Sequence, residues 1–333
     1  MESRHRPGIL SVAPTAVRGA LRASGPLLAL LALTIGFALA DSDFATIANL
    51  RVILDSAAVP LVLAVGMTFV IRQGSIDLSV EGMMAACSLL FACVVANDRM
   101  QVNLGWFGLP AAAALGGVFG LANGLVVTCL RVPSFMATLG MGAIALGAAM
   151  LMSGDQPPLI QDPVLRQWGL GQTFGLPNLA LAAASCLVVG LFVEQYTRLG
   201  RYGYVIGGAE GVARASGLDV DFYKVLGFAF AGLLIGLAAA MESARLGLGH
   251  VGIGEGKMLG TITAVVIGGT PLSGGSGSVR GSAVGVLTLA VLANGMVFIG
   301  ATPDLEKAIQ GAIVLVAVVV ANWHLRDRLR IVK

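Results

Sequence analysis

Apolar runs of about 20 residues, the length that crosses a bilayer as a helix, recur along the chain with short polar punctuation between them. "PLLALLALTIGFALA" (26–40) and "VILDSAAVPLVLAVGMTFVI" (52–71) open the series, and "GAIVLVAVVVAN" (311–322) closes it. A helix on the surface of a soluble protein is apolar along one stripe only. These runs are apolar all round, so lipid or other helices must cover every side. The pattern predicts ten spans, at 24–40, 52–72, 79–97, 106–130, 134–152, 178–193, 225–245, 258–272, 281–300 and 306–323. The expected fold class is all-α, a polytopic membrane helix bundle.

Composition agrees with this reading. Of 333 residues, 56% are hydrophobic and 12% charged, against about 25% charged in soluble domains. The charges gather in 1–22, 41–55, 194–224 and 324–333. This sets the expected organisation: a cytoplasmic N-terminal segment (1–23), a transmembrane domain (24–323) and a cytoplasmic tail (324–333). Ten spans with both termini inside put fifteen of the 21 Lys and Arg on the cytoplasmic side, as the positive-inside rule asks. Ala38-Leu39-Ala40 before Asp41 imitates a signal-peptidase site, but the basic region ahead of it is long for a signal peptide, so a retained first helix is expected. Cys87, Cys93, Cys129 and Cys186 all lie in apolar blocks without CxxC spacing and read as buried thiols.

Two loops stand out. Residues 153–177 are rich in Pro and Gly and are expected outside; residues 194–224, with four basic and four acidic residues, are expected inside. The inner loop is either a partner-binding element or a connector. "LANGLVV" (121–127) is echoed by "LANGMVF" (292–298) on a span of opposite direction, a hint of an inverted repeat.

Catalytic chemistry finds no support. His5, His250 and His324 have no metal-ligand spacing, and no cofactor, metal or nucleic acid is expected. "GGTPLSGGSGS" (268–278) lacks the Gly-Lys-Ser/Thr ending of a phosphate-binding loop, so ATP-driven work would need a separate ATPase. Charges within the spans are Asp55, Glu242 and Arg245. The last two are three apart on one helical face and either pair or snorkel to an interface. Too few acids are buried for an ion-coupled relay. Gly116-Gly120-Gly124, Gly232-Gly236 and Gly281-Gly285 form small-residue ridges for close helix crossings, and Asn123 and Asn294 serve either packing or a substrate pathway.

Four stretches, "GSIDLSVEG" (74–82), "ANGLVVTCLRVPSFMATLGMGAI" (122–144), "GRYGYVIGGAEGVARASGLDVDFYKVLGFAFAGLLIGLAA" (200–239) and "AVVIGGTPLSGGSGSVRGSAVG" (264–285), resemble the permease subunits of ribose/xylose/galactose-type ABC importers. The resemblance covers roughly 45–323 in motif order. The resemblance implies two such chains, a homodimer in the inner membrane, forming a pore, with cytoplasmic ATP-binding subunits and an external binding protein that delivers a monosaccharide or polyol. A nucleoside or autoinducer-type ligand is the alternative on the same scaffold. The segment 207–220 looks like the family's coupling helix, which would assign Gly207, Gly208, Ala209, Glu210, Val212, Ala213, Arg214 and Gly217 to ATPase contact. On helical spacing Ala213 shares a face with Ala209, Glu210 and Arg214 pair at i,i+4, and Gly217 suits a helix end. Asp77, with Ser79 and Glu81, is expected either to cap the third span or to touch the pathway. Ser75 and Glu81 depart from the family pattern, which has glycine at both.

Overall fold

The computed structural model describes residues 15–302 and scattered positions between 305 and 312, with side chains from Gly25 onward. The tail 324–333, most of the expected span 306–323 and the first 14 residues lie outside the described residues. The elements are α1 (Thr15–Ala40), α2 (Ile47–Arg72), α3 (Val80–Val94), α4 (Gly108–Cys129), α5 (Ser134–Ser153), α6 (Pro163–Leu170), a two-stranded hairpin of β1 (Gln172–Thr173) and β2 (Leu176–Pro177), then α7 (Asn178–Tyr196), α8 (Arg198–Ala215), α9 (Val220–Leu246), α10 (Lys257–Ile267) and α11 (Val279–Phe298).

Among the described residues every element is helical apart from that hairpin. Six helices among them are long and apolar enough to cross a membrane, α2, α4 with its preceding turn, α5, α7, α9 and α11, fewer than the ten spans expected from the sequence. Gly25–Ala40, α3 and α10 are apolar but shorter. The expected loops also differ. The 153–177 segment contains α6 and the hairpin, and 194–224 is mostly α8 plus the first turn of α9. Local chemistry explains the starts. Thr46, Asp162, Asp219 and Ser278 each accept a backbone N–H of the following helix, and Pro163 occupies a first-turn position where no donor is needed.

α2, α3 and α9 form the centre, buried along most of their length. α4 packs most closely on α9. A Cβ on Gly116 would run into the Gly232 carbonyl, one on Gly120 into the Phe228 carbonyl, and one on Gly236 into the Ala112 carbonyl. Glycine here removes the side chain that would hold the backbones apart. Gly281 and Gly285 let α11 approach α10 in the same way. Because α4 buries chiefly this glycine face, Cys129 at its end is exposed, unlike the buried Cys87, Cys93 and Cys186.

The helices alternate between two ends of the bundle, named here the α8 end and the α6 end. Two of them, α3 and α10, begin part-way. α2 ends at Arg72 with left-handed Gly74 (φ 76°), whose N–H bonds the Ile71 carbonyl while Ser75 bonds Val70. Residues 73–79 then run without helix back into the bundle, and α3 begins inside it. α3 has 15 residues, a length of about 22 Å, short of a full crossing. From the opposite end, α9 stops at left-handed Gly247 (φ 82°), 247–256 runs inward along α3, and α10 begins at Lys257. The order long helix, break, short helix, long helix thus occurs twice, α2–α3–α4 and α9–α10–α11. α4 lies along α9 and α11 along α2.

Candidate coupling and translocation sites

α8 caps the end where α2, α7 and α9 meet. Its first half rests on the bundle through Gly200, Gly203 and Gly207: a Cβ at Gly207 would strike the Arg72 carbonyl, and one at Gly203 would crowd the Arg72 guanidinium. At Ala209 the backbone turns extended (φ −159°, ψ 76°) and the helix restarts in a new phase. This corrects the sequence expectation for Ala213. The break puts Ala213 on the inner side, 1% exposed, in a small core with Ile206 and Val220 and beside Tyr202, Leu218 and Tyr223. Gly208, Ala209, Val212 and Ala215 remain exposed, Val212 by 64%. Gly217 (φ 81°) closes the helix: its N–H bonds the Arg214 carbonyl and the Leu218 N–H bonds Ala213.

Glu210 and Arg214 do pair, at 3.1 Å, within a larger set: Lys224 reaches Glu210 at 2.7 Å and Arg214 also bonds Asp221. Burial works to raise the Glu210 pKa, but hydrogen bonds and charge from Lys224 and Arg214 outweigh it and hold the carboxyl below its ordinary value. These charges line a recess of about 560 Å³ that reaches Gly74, Ser75 and Arg131.

Beneath α8 lies an ion pair that the sequence reading missed, because both residues sit at apparent span ends. Arg72 is fully buried and Glu194 nearly so, 2.6 Å apart. Arg72 also donates to the Gly200 carbonyl (3.0 Å) and stacks over the Tyr204 ring at 4.2 Å. Glu194 accepts the Val279 N–H at 3.2 Å, and the Tyr204 hydroxyl lies 3.1 Å from it. A Glu directly after the apolar run "LALAAASCLVVGLFV" was the available signal.

Asp77 is completely buried in the 73–79 break, called here the inner break, as 247–256 is called the outer one. It accepts the Ser79 N–H (2.8 Å) and the Ser79 hydroxyl, and Asn123 donates to that hydroxyl at 2.8 Å. Ser79, not Asp77, stands at the N-cap of α3. Two α5 hydroxyls accept further N–H groups of this stretch: Ser134 takes Ile76 (3.0 Å) and Thr138 takes Leu78 (2.9 Å). Asp77 Oδ2 and Asn123 Oδ1 have no hydrogen-bond partner among the described residues. Glu81 instead reaches the outer break, accepting the Gly256 N–H at 3.1 Å. The second amide, Asn294, accepts from Asn49 of α2 at 2.9 Å.

A cavity of about 780 Å³ lies between α2, α10 and α11, lined among others by Ser56, Pro60, Glu255, Lys257, Thr261 and Ala290. Beside it runs a chain of charges. Glu242 and Arg245 pair at 2.7 Å, Arg245 reaches Asp55 at 3.5 Å, and Lys257 reaches Glu242 at 3.7 Å. Among the described residues no three metal-binding side chains cluster.

Residues 49–318 match the family described as "Branched-chain amino acid transport system / permease component". The chain is 35% identical over 300 residues to the ribose import permease protein RbsC of Escherichia coli (strain K12), covering 89% of this chain and 92% of that one. It is 28% identical over 322 residues to the L-arabinose ABC transporter permease protein AraH of Azospirillum brasilense (96% and 94% covered). It is 30% identical over 345 residues to the xylose transport system permease protein XylH of Haemophilus influenzae (84% and 90% covered). No solved structure matches the chain significantly. The motifs, the multi-pass helical bundle and these relatives together place the chain in the permease family of ribose/xylose/arabinose-type ABC sugar importers.

Proposed function

We propose that the chain is the membrane subunit of an ATP-driven importer, passing a monosaccharide or related polyol through alternating access. An external binding protein delivers the ligand, and a cytoplasmic ATPase drives a pair of these chains. The observation that carries this reading is α8. It is a helix at the end of the bundle whose inner side is locked to the core while Ala209, Val212 and Ala215 face out, an apolar patch for another protein. The glycine-rich 268–278 loop packs against this same end, with Gly275 N–H bonding the Arg72 carbonyl at 3.0 Å, and lacks the Gly-Lys-Ser/Thr ending of a phosphate-binding loop, so this reading puts ATP hydrolysis on another chain. The α8 end is the cytoplasmic one in this reading. It carries Arg131, Arg198, Arg201, Arg214, Lys224 and Arg280, as a positive-inside protein would. The two three-helix halves, with their matching "LANG" segments, form an inverted repeat, and the cavity between α2, α10 and α11 belongs to the sugar's route.

Proteoliposomes containing the chain, its ATPase and its binding protein provide the test. Uptake of labelled ribose, arabinose or xylose is expected only with ATP inside the compartment that faces the ATPase. Uptake of a sugar driven by a proton or sodium gradient without ATP would overturn the reading. Sidedness has its own check: a cysteine at Gln161 should react with an impermeant thiol reagent from outside, and one at Ala209 only from inside.

A further inference from the structure

We propose that Glu194 is a positioning residue that carries displacement of α8 into the membrane helices; this rests on the reading of α8 as the ATPase-facing element. Its carboxylate, the last acid of α7, gathers three other elements. Arg72 ends α2 and lies 2.6 Å away, the Val279 N–H starts α11 at 3.2 Å, and the Tyr204 hydroxyl of α8 lies at 3.1 Å. Tyr204 has one proton to give, and the Gly277 carbonyl at 2.8 Å, just before α11, competes for it. Arg72 closes the set by donating to the Gly200 carbonyl of α8 at 3.0 Å.

The pair is shielded from water, with Arg72 fully buried and Glu194 7% exposed. Removing either charge would strand the other in a low-dielectric interior, so the group resists opening and moves as one body. The connection is also direct. Gly200, Gly203 and Gly207 place the α8 backbone against this group, leaving little free volume to absorb a shift. On the far side, α2 and α11 are the helices that wall the cavity with Ser56, Pro60 and Ala290. A push on the outer half of α8, beyond the Ala209 break, therefore reaches the cavity wall through Glu194.

Glu194→Gln keeps the shape and the acceptor for Val279 N–H but removes the countercharge of Arg72; Tyr204→Phe removes only the hydroxyl. In the assembled complex, sugar transported per ATP hydrolysed should fall roughly tenfold in Glu194→Gln, the scale of coupling that one network residue carries. It should fall less in Tyr204→Phe, whose ATPase rate and abundance stay near wild type, whereas Glu194→Gln, which leaves Arg72 unpaired, also loses abundance and is therefore read as sugar per ATP hydrolysed. Hydrogen exchange in the purified chain supplies a readout independent of transport: amides 198–207 should exchange faster in both variants. A proportional fall of transport, ATPase and abundance would show a merely structural role and overturn the proposal, as would unchanged sugar-to-ATP ratios in both variants. If the wild-type complex itself shows no ATP-driven uptake, the parent reading fails, while exchange at 198–207 still decides whether Glu194 holds α8.

Discussion

The two breaks occupy corresponding places yet differ in how they are held. Each follows a long helix with an arginine in its last turn, Arg72 or Arg245, and then a left-handed glycine, Gly74 or Gly247. The inner break is sealed. Gln73, Ser75, Asp77 and Ser79 are all buried, Arg72 is neutralised by a nearly buried Glu194, and α5 hydroxyls accept the backbone N–H groups. The outer break is more open. His250, Glu255 and Gly256 are exposed while Gly249 and Gly254 pack on α3 and Ile253 is buried, and Arg245 shares a buried Glu242 and a half-exposed Asp55. The same topological device is therefore expected to act as a stiff lever at the α8 end and as a more movable segment beside the cavity. Not every polar group of the inner break is partnered, since Gln73 Oε1 and Asp77 Oδ2 have no hydrogen-bond partner among the described residues, so its stiffness rests on burial and on the Arg72–Glu194 pair.

Removing the two arginines should separate the breaks most widely. Arg72→Ala leaves Glu194 buried and uncompensated, an expected loss of about 3–5 kcal/mol, seen as a large drop in thermal midpoint in detergent. Arg245→Ala should cost less, because Lys257 at 3.7 Å remains to compensate the buried Glu242. Equal losses would mean that the outer network is as closed as the inner one.

Asp77 gives the next largest effect. Asp77→Leu strands the Ser79 N–H and hydroxyl in the interior, at a cost of about 1–3 kcal/mol, and should reduce yield in the membrane. Asp77→Asn keeps an acceptor for them and should retain most of that yield. A normal yield of Asp77→Asn with lost substrate-stimulated ATPase activity would instead place Asp77 on the sugar's path.

Much of this was legible in the sequence and some was not. The apolar blocks marked the helices, and the glycine ridges, the Glu210–Arg214 pair and Gly217 stood at spacings that local geometry fixes. The depth of the breaks was hidden, because a run apolar on all faces carries no phase, and "GSIDLSVEG" reads alike at a surface or in mid-bundle. Arg72 and Glu194 are 122 positions apart, beyond any local pattern. Ala213 was misplaced because helical spacing was carried across Ala209, where the backbone leaves the helix.

At α8 the effects should be smaller. Val212→Trp adds bulk only to the exposed patch, so folding should be unchanged while ATPase association weakens, measured by co-purification; unaltered association would remove this patch from the interface. Glu210→Gln should change stability by only about 0.3–0.5 kcal/mol, the scale of exposed helical pairs. Because its neighbours lower the Glu210 pKa from 4.5, its contribution is present above that value and lost as pH falls through the folded-state pKa. Wild type should therefore soften at α8 in that acid range, and Glu210→Gln should soften less.

Hydrogen exchange of the assembled complex, compared with and without ATP, tests the contrast between the breaks most directly. The account predicts that amides 73–79 stay protected in both states while those of 247–256 exchange faster and change with ATP. Fast, ATP-sensitive exchange at 73–79 beside a protected 247–256 would contradict it.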